Sequence, residues 1–278
     1  MTPTTFAPAA LVGSPGPRHA GPAEVVAPAN WQVVDFISDL HLDTEDASFN
    51  ALAAYLSSSP AQALFVLGDF FEVWVGDDAA LPGSLGQRCA QLFSAATHLT
   101  LFFMHGNRDF LLGSGFMQQC RATLLPDPTV LMLGKARYLL SHGDALCLQD
   151  TDYLAFRAQV RSPAWQHEFL ARPLAERQHI ARDLRLRSEA RKQVQNASGE
   201  PFADVDAAAA RQWLIAAQAS TLVHGHTHQP ATHALGQHAG QPLQRVVLSD
   251  WDAQASVPRR EVLRLERGQA TAQRIALA

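Results

Sequence analysis

The chain has 278 residues, of which 47% are hydrophobic and 17% charged, and its formal net charge is −4. This length can bury a sizeable core as one large domain or two small ones, and the acidic balance argues against a dedicated nucleic-acid-binding protein. No uninterrupted apolar stretch reaches the roughly 18 residues of a membrane-spanning helix. Three cysteines, all far apart, are typical of a reduced, cytosolic protein rather than a disulfide scaffold.

The first 30 residues are rich in Pro, Ala and Gly. Such a composition buries too little apolar surface to order itself, which predicts a flexible tail over residues 1–30. The segment also lacks the basic start and the longer apolar core of a secretory signal. We therefore expect the ordered core to begin at Trp31, with its first part ending at residue 150.

Five short apolar runs follow, and each of them ends in a polar cluster. They cover residues 33–37, 64–67, 99–104, 138–140 and 221–223. Runs of this length that are bounded by Gly and Asp are typical of buried strands, and helices are predicted between them at 49–56 and 85–95. Alternating strands and helices predict an α/β fold with functional side chains at the carboxyl ends of the strands.

Residues 151–218 contain no strand-like run and are predicted to be helical, with Thr151 as the cap of one helix and Pro173 at the start of another. Between Arg157 and Lys192, nine residues are basic and four are acidic, whereas the chain as a whole is acidic. We interpret this stretch as a helical insertion that covers the functional site, and a solvated amphipathic hairpin is the alternative. The core then resumes over residues 219–278.

The polar residues that follow the five runs form a candidate metal site. They are Asp39, His41, Asp69, Asn107, His142, His226 and His228. Each position alone has a common structural explanation, but their joint occurrence after five successive strands predicts metal binding. Carboxylate, amide and imidazole groups without a thiolate suit Mn, Fe or Zn in open sites. Seven ligands exceed the needs of one small ion and suit two divalent ions about 3.5–4 Å apart, an arrangement that serves phosphoryl chemistry.

Five ordered motifs carry a resemblance to known proteins: DLH, GDFFEVWVGDD, HGNRD, SHGDALCLQD and HGHTHQP. Their pattern resembles that of the calcineurin-like metallophosphoesterases, and the longer strings resemble the UDP-2,3-diacylglucosamine pyrophosphatases of lipid A synthesis. The resemblance covers about residues 31–230. It implies a β-sandwich flanked by helices, with a helical lid over the site.

The activity that this resemblance implies is hydrolysis of the diphosphate of UDP-2,3-diacylglucosamine by water at the α-phosphorus, which gives UMP and 2,3-diacylglucosamine 1-phosphate. Because such a substrate carries two acyl chains, the enzyme is expected at the cytoplasmic face of the inner membrane as a peripheral protein. A related phosphoesterase for a soluble nucleotide or another phosphoester is the alternative. An inactive scaffold is a third alternative, against which the complete ligand set argues.

The resemblance also implies how the seven ligands divide between two ions, generally Mn²⁺. One ion would be held by Asp39, His41, Asp69 and His228, and the other by Asp69, Asn107, His142 and His226. Asp69 would then bridge both ions. His224 does not match a ligand position and is expected to lie behind the ligands.

Arg108 follows Asn107 at a position where many phosphomonoesterases of the superfamily have a histidine that protonates the leaving alkoxide. Arginine stays charged and is a poor proton donor, but it can hold a phosphate through two parallel hydrogen bonds. A leaving phosphate monoester, with a second pKa of about 6, needs no such proton. Arg108 therefore favours a phosphoanhydride substrate, and the alternative is an arginine that only pairs with Asp109.

Further substrate contacts are implied by the resemblance. The full set is Asn107, Arg108, Asp150, Arg185, Ser188, Lys192, Gln195 and His226, although Lys192 and Gln195 stand where the family often has Asn and Lys. The apolar residues of the insertion would line an acyl-chain groove or, as the alternative, only pack between helices; they are Tyr153, Leu154, Phe156, Trp165 and Phe169. The basic charge of the insertion predicts contact with an anionic membrane surface.

Overall fold

The computed structural model describes residues 11–12, 21–44, 46–198, 203–253, 255–269 and 271–277, and the description of the fold refers to these residues. The strands are β1 (Leu11–Val12), β2 (Ala23–Val26), β3 (Val33–Ile37), β4 (Ala63–Leu67), β5 (Thr100–Met104), β6 (Ala122–Leu125), β7 (Thr129–Leu133), β8 (Ala136–Leu140), β9 (Thr221–His224), β10 (Thr232–His238), β11 (Gln241–Val247), β12 (Glu261–Glu266) and β13 (Gln273–Ala276). The helices are α1 (Ala47–Ser58), α2 (Leu85–Ala95), α3 (Ser114–Cys120), α4 (Thr151–Val160), α5 (Pro163–Leu170), α6 (Leu174–Ser198) and α7 (Ala207–Ala216). Among the described helices, none has both the length and the apolar character that crossing a membrane requires.

The strands form two sheets. The six-stranded sheet has the order β13-β12-β3-β4-β5-β6, and its strands β3 to β6 are parallel. The seven-stranded sheet has the order β1-β2-β7-β8-β9-β11-β10, with β8, β9 and β11 parallel. The parallel strands of each sheet end at one edge, and the loops that leave this edge carry the candidate site.

The two sheets pack face to face. Side chains that alternate along the strands fill the space between the sheets, and Phe36, Phe65 and Phe102 stack there from three neighbouring strands, with ring centroids 5.3 and 4.6 Å apart. The opposite face of the six-stranded sheet packs against α1, α2 and α3, and that of the seven-stranded sheet packs against α7. The result is a β-sandwich flanked by helices, which confirms the predicted α/β fold.

The predicted elements correspond closely to the observed ones. The five apolar runs are β3, β4, β5, β8 and β9, and the two predicted helices are α1 and α2. One capping residue differs from the prediction. The side chain of Asp150 accepts a hydrogen bond from the Tyr153 amide and caps α4, so that Thr151 is the first helical residue instead of the cap.

The start of the ordered core differs from the prediction, because β2 lies inside the segment that was expected to be a flexible tail. It pairs in parallel with β7, and Val25 and Ala27 are buried. The tail prediction is therefore wrong for residues 23–27, since the short run Val25-Val26 finds a partner strand that composition alone does not reveal. Residues 1–10 and 13–20 lie outside the described residues.

The stretch predicted as an insertion contains two different parts. Helices α4, α5 and α6, hereafter the helical segment (residues 151–198), contribute Phe156, Trp165 and Leu184 to a cavity beside the candidate site. Helix α7 instead buries Ala210 and Leu214 against the seven-stranded sheet. The predicted boundary at residue 218 therefore lies beyond the helices that reach the cavity.

Candidate metal centre and substrate cavity

The seven candidate ligands lie in loops that follow five strands, two of them in one sheet and three in the other. Asp39 and His41 follow β3, Asp69 follows β4, and Asn107 follows β5 in the six-stranded sheet. His142 follows β8, and His226 and His228 follow β9, both in the seven-stranded sheet. Because the two sheets face each other, these loops meet at one end of the sandwich.

One group of ligand atoms converges around Asp39. Its Oδ1 lies 3.4 Å from His228 Nε2 and 3.9 Å from His41 Nε2, and the two imidazole nitrogens are 3.2 Å apart. Asp39 is fully buried, and its Oδ1 has no hydrogen-bond partner in the described part of the chain. A buried carboxylate oxygen without a partner is costly, and a cation at this point would satisfy it.

A second group converges around Asn107. Its Oδ1 lies 2.9 Å from His226 Nδ1 and 3.0 Å from His142 Nε2. Asp69 faces both groups, because its Oδ1 lies 3.8 Å from His142 Nε2 and its Oδ2 lies 3.8 Å from His41 Nε2. This is the arrangement that a bridging carboxylate requires.

The backbone at these residues is unusual. Five of the seven candidate ligands have a positive φ, at 55° for Asp39, 48° for His41, 51° for Asp69, 69° for His226 and 53° for His228. Such left-handed conformations are uncommon outside glycine and cluster at functional sites. The convergence of Asp39 with His41 therefore comes from a tight loop and not from the alternation of side chains along a strand.

Close backbone approach explains two of the glycines in the motifs. A Cβ at Gly106 would lie 2.0 Å from Asp69 Oδ1, and one at Gly225 would lie 2.2 Å from Asp39 Oδ2. Any larger residue would push the carboxylates out of the site. The glycines before Asn107 and His226 thus have the same physical role on opposite sheets.

The electrostatics of the site favour added positive charge. Burial alone would raise the pKa of Asp39, but the neighbouring His228 and His142 lower it. Burial would lower the pKa of His142, yet Asp69 and Asp39 raise it to about 9. Burial and the neighbouring His142 lower the pKa of His226 to about 3, which leaves that ring neutral and able to bind a cation. The donor set, the unpartnered Asp39 oxygen and this charge balance all fit divalent metal ions.

His224 and Asp109 lie behind the ligands. His224 is buried, its Nδ1 lies 2.9 Å from the Gly225 carbonyl oxygen, and burial lowers its pKa to about 4. The Asp109 carboxylate accepts hydrogen bonds from the backbone amides of Asp69, Phe70 and Gly106. Asp109 thus has a structural role in the loop that carries Asp69, and it does not require Arg108 as its partner.

Glu72 is a site residue that the sequence analysis did not single out. Its Oε2 lies 2.8 Å from His41 Nδ1, and its Oε1 lies 3.6 Å from Arg108 and 3.4 Å from Arg185. Burial would raise the pKa of Glu72, but His41 and Arg108 lower it, so the group is a carboxylate. The available signal was an acidic residue three positions after Asp69 within an otherwise apolar stretch.

A cavity of about 810 Å³ opens from the metal centre. Its apolar residues follow β4 and β5 or belong to the helical segment: Val73, Trp74, Val75, Phe110, Leu111, Phe156, Trp165, Phe169, Ala181 and Leu184. Its polar residues outside the metal centre include several that follow β8 and β9: Gln149, Asp150, Asp152, Thr227 and Gln229. The cavity thus joins metal-binding, apolar and polar surfaces.

The predicted substrate residues have three different placements. Asn107, Arg108 and His226 line the cavity at the metal centre, and Asp150, Arg185 and Ser188 line it from α4 and α6 or next to them. Lys192 and Gln195 belong to α6, but their side chains lie outside the described residues. Leu154 has no place among the residues that line the cavity, whereas Tyr153 lines it and also stacks on His226.

Much of the basic charge of the helical segment points inward. Arg157 and Arg161 approach the buried Asp144, and Arg161 also donates to the Gly106 carbonyl oxygen. Arg177 is 2% exposed and pairs with Asp78. These arginines attach the helical segment to the core, so the charge count alone is a poor argument for a surface that contacts a membrane.

Comparison with known proteins agrees with the geometry of the site. The sequence model of the calcineurin-like phosphoesterases matches residues 33–230. The chain is also 44% identical to a UDP-2,3-diacylglucosamine hydrolase of Cellvibrio japonicus, over 79% of this chain and 91% of that protein. Proteins of the same name from Aromatoleum aromaticum and Xanthomonas campestris are 45% and 43% identical, over 78% and 81% of this chain and 88% and 93% of theirs.

These matches define first a class and then a family. The chain belongs to the calcineurin-like phosphoesterases and, within them, to the family of the UDP-2,3-diacylglucosamine hydrolases. The resemblance that the motifs indicated is therefore confirmed.

Proposed function

We propose that the protein hydrolyses the diphosphate bond of UDP-2,3-diacylglucosamine by attack of water at the α-phosphorus, releasing UMP and 2,3-diacylglucosamine 1-phosphate in lipid A biosynthesis. The observation that carries this proposal is one cavity that combines a centre for divalent metal ions, three arginines (Arg108, Arg185 and Arg187) and a wall of apolar side chains. The names of the relatives support the choice of this substrate.

The metal centre would be formed by the seven residues that converge at the strand ends, with Mn²⁺ as the proposed ion. One ion would be held by Asp39, His41, Asp69 and His228, and the other by Asp69, Asn107, His142 and His226. When bound, the two cations activate a water molecule and neutralise charge on the phosphoryl oxygens. The oxygen and nitrogen donors of the site suit manganese, which accepts both kinds of ligand.

The diphosphate would lie between the metal centre and the arginines. Arg108 follows the ligand Asn107 directly, and its backbone amide donates to Asp69 Oδ1 over 2.7 Å, which fixes the origin of its side chain beside the bridging carboxylate. Its guanidinium would orient the diphosphate and balance part of its charge. Because the leaving sugar phosphate is a phosphate monoester, departure needs no proton from the chain.

The acyl chains would contact the apolar wall of the cavity. Trp165 and Phe169 stack in α5 with ring centroids 4.7 Å apart, and Phe110 and Leu184 face the same space. The polar residues after β8 and β9, together with Asp150 and Ser188, are the proposed contacts of the nucleotide and the sugar. The helical segment would therefore act as the lid that selects an acylated substrate.

A substrate with two acyl chains resides in a bilayer, so we place the protein as a peripheral protein at the cytoplasmic face of the inner membrane. Leu186 is 64% exposed and Val194 is 70% exposed, and both lie on α6, the helix that also carries the cavity-lining residues Leu184 and Ser188. Exposed apolar side chains of this kind support insertion into a membrane surface. They support it better than the basic residues, several of which pair with the core.

The test compares an acylated with a soluble substrate in water labelled with ¹⁸O. With Mn²⁺ present, UDP-2,3-diacylglucosamine in detergent micelles should give UMP that contains ¹⁸O and an unlabelled sugar phosphate. Its kcat/KM should exceed that of UDP-N-acetylglucosamine by at least about a hundredfold, since each buried CH₂ is worth about 0.8 kcal/mol. Equal rates on the two substrates, or label in the sugar phosphate, would refute the proposal.

A further inference from the structure

Glu72 occupies a position that backbone contacts hold firmly. The loops after β3 and β4 run side by side, with the His41 amide donating to the Asp69 carbonyl oxygen over 3.0 Å and the Glu72 amide donating to the Leu42 carbonyl oxygen over 3.1 Å. Leu42 and Phe71 also form an isolated parallel bridge. This pairing holds the backbone of Glu72 beside the loop that carries His41, and the side chain of Glu72 is only 13% exposed.

The two oxygens of Glu72 face different groups. Oε2 lies 2.8 Å from His41 Nδ1, the ring nitrogen that points away from the metal centre. That Nδ1 is buried, and its contact with Glu72 is a close ion pair rather than a hydrogen bond of regular geometry. The other ring nitrogen, Nε2, faces Asp39, Asp69 and His228. A carboxylate on the outer nitrogen of a metal-binding histidine fixes the tautomer and the ring orientation and raises the basicity of the ligand.

Oε1 faces the substrate side of the cavity. It lies 3.6 Å from Arg108, on the loop after β5, and 3.4 Å from Arg185, on α6. Without a counter-charge, these two guanidiniums would repel each other beside the metal ions. Glu72 is thus the one carboxylate among the described residues that contacts the metal centre, Arg108 and the helical segment together.

We propose that Glu72 is a positioning residue: one of its oxygens fixes His41 for cation binding, and the other holds Arg108 and Arg185 at the diphosphate. The part of the proposal that concerns the arginines rests on the proposed function. The part that concerns His41 involves the cation alone and stands without it.

The test measures binding of Mn²⁺ to metal-free protein by titration calorimetry, in the absence of any substrate. Glu72→Ala should weaken the affinity for one of the two ions by about 10–100-fold, the usual effect of losing such a partner. Glu72→Gln keeps an acceptor for Nδ1 but no charge, so it should fall between the Ala variant and the parent protein. Both variants should also raise the KM for the UDP-lipid.

Two matched variants separate the two roles. Arg185→Ala should raise KM while it leaves the Mn²⁺ affinity unchanged. Glu168→Gln removes an exposed carboxylate from α5, where it pairs with Arg172 at 3.3 Å, and should change neither quantity.

Parental Mn²⁺ affinity in a variant of Glu72 whose thermal unfolding is unchanged overturns the proposal. If Glu72→Ala does not fold, the near-isosteric Glu72→Gln decides the matter alone. If the parent protein binds Mn²⁺ but does not hydrolyse the UDP-lipid, the proposed function fails while the role of Glu72 towards His41 is still tested.

Discussion

The metal centre and the helical segment border the same cavity but are held in place in different ways. The metal centre stands on loops that leave both sheets, and backbone hydrogen bonds and left-handed residues fix its side chains. The helical segment is attached through side chains: Arg157 contacts Asp144, Arg161 contacts the Gly106 carbonyl oxygen, Arg177 contacts Asp78, and Phe169 packs into the hydrophobic core. One region is positioned by the backbone and the other by side-chain contacts.

This difference predicts that substitutions in the two regions have different effects on activity. A site that the backbone positions leaves little room for adjustment, so a change there should affect every substrate alike. A segment that side chains attach can vary in sequence without disturbing the sheets, so a change there should affect selectivity. The following substitutions test this contrast, from the largest expected effect to the smallest.

Asp69→Asn should have the largest effect. The substitution keeps the shape of the side chain but removes the negative charge that faces both ligand groups. We expect kcat to fall by about a thousandfold or more on any phosphorylated substrate, because such charge stabilisation is worth several kcal/mol. Asp183→Asn is the control, because it changes a half-buried carboxylate on α6 that pairs with His179. Turnover within about tenfold of the parent protein in the presence of added metal would contradict the bridging role.

Arg108→Ala should come next, with a loss of about 2–4 kcal/mol of transition-state binding. Bound metal should be unchanged. Arg108→Lys should restore little, because an ammonium group cannot make the two parallel contacts. Arg108→His should lose anhydride cleavage and retain or gain hydrolysis of an alkyl phosphate, since it reinstates a proton donor. The measurement is kcat/KM on both substrates, and parental cleavage of the UDP-lipid by all three variants would refute the role.

Trp165→Ala should affect only the acylated substrate. The indole lines the cavity and stacks on Phe169, so its loss removes apolar surface that we assign to an acyl chain. We expect KM for the UDP-lipid to rise by about 10–100-fold, which corresponds to the loss of about 1.4–2.8 kcal/mol of apolar contact. Hydrolysis of a small activated phosphodiester should stay unchanged. A parallel loss on both substrates would show that the helical segment supports the metal centre after all.

The smallest effects are expected for two arginines of the helical segment, Arg177 and Arg172. They form a matched pair, because one is buried and the other is exposed. Arg177 is 2% exposed, pairs with Asp78 and donates to the Val75 carbonyl oxygen, so Arg177→Ala should lower the free energy of unfolding by about 1–3 kcal/mol. Arg172 makes exposed ion pairs with Glu168 and Glu176, and its removal should leave the free energy of unfolding nearly unchanged. Denaturant unfolding of both variants measures the difference, and equal effects would show that burial does not set the strength of attachment.

Strand ends were the predictable part of this molecule. Short apolar runs that stop at Gly-Asp, Gly-Asn or Gly-His indicated both the strands and the residues that converge, because parallel strands present their carboxyl ends at one edge. The local reason for the convergence was not predictable. The left-handed φ of Asp39 and His41 is a property of the tight loop and leaves no periodic signal in the sequence.

Contacts between distant segments were the unpredictable part. Glu72 contacts His41 and Arg185, which are 31 and 113 positions away in the sequence. No local sequence pattern indicates contacts between residues so far apart. Residues 23–26 were predicted to belong to a flexible tail. The prediction missed this strand because its partner, β7, lies about a hundred positions further along the chain. From the sequence, the arginines of the helical segment were expected to form a charged surface. In the fold, three of them instead form ion pairs with carboxylates of the core.

The left-handed backbone of five candidate metal ligands has a consequence for attempts to make this protein more heat-resistant. A positive φ costs a non-glycine residue about 1 kcal/mol, so five of them together approach the lower end of the roughly 5–15 kcal/mol that keeps a domain folded. Glycine at Asp39 or His41 would relieve that cost and abolish the ligand at the same time. A selection for thermostability alone would therefore reward substitutions at the residues that make the enzyme work, and it should be coupled to a requirement for turnover.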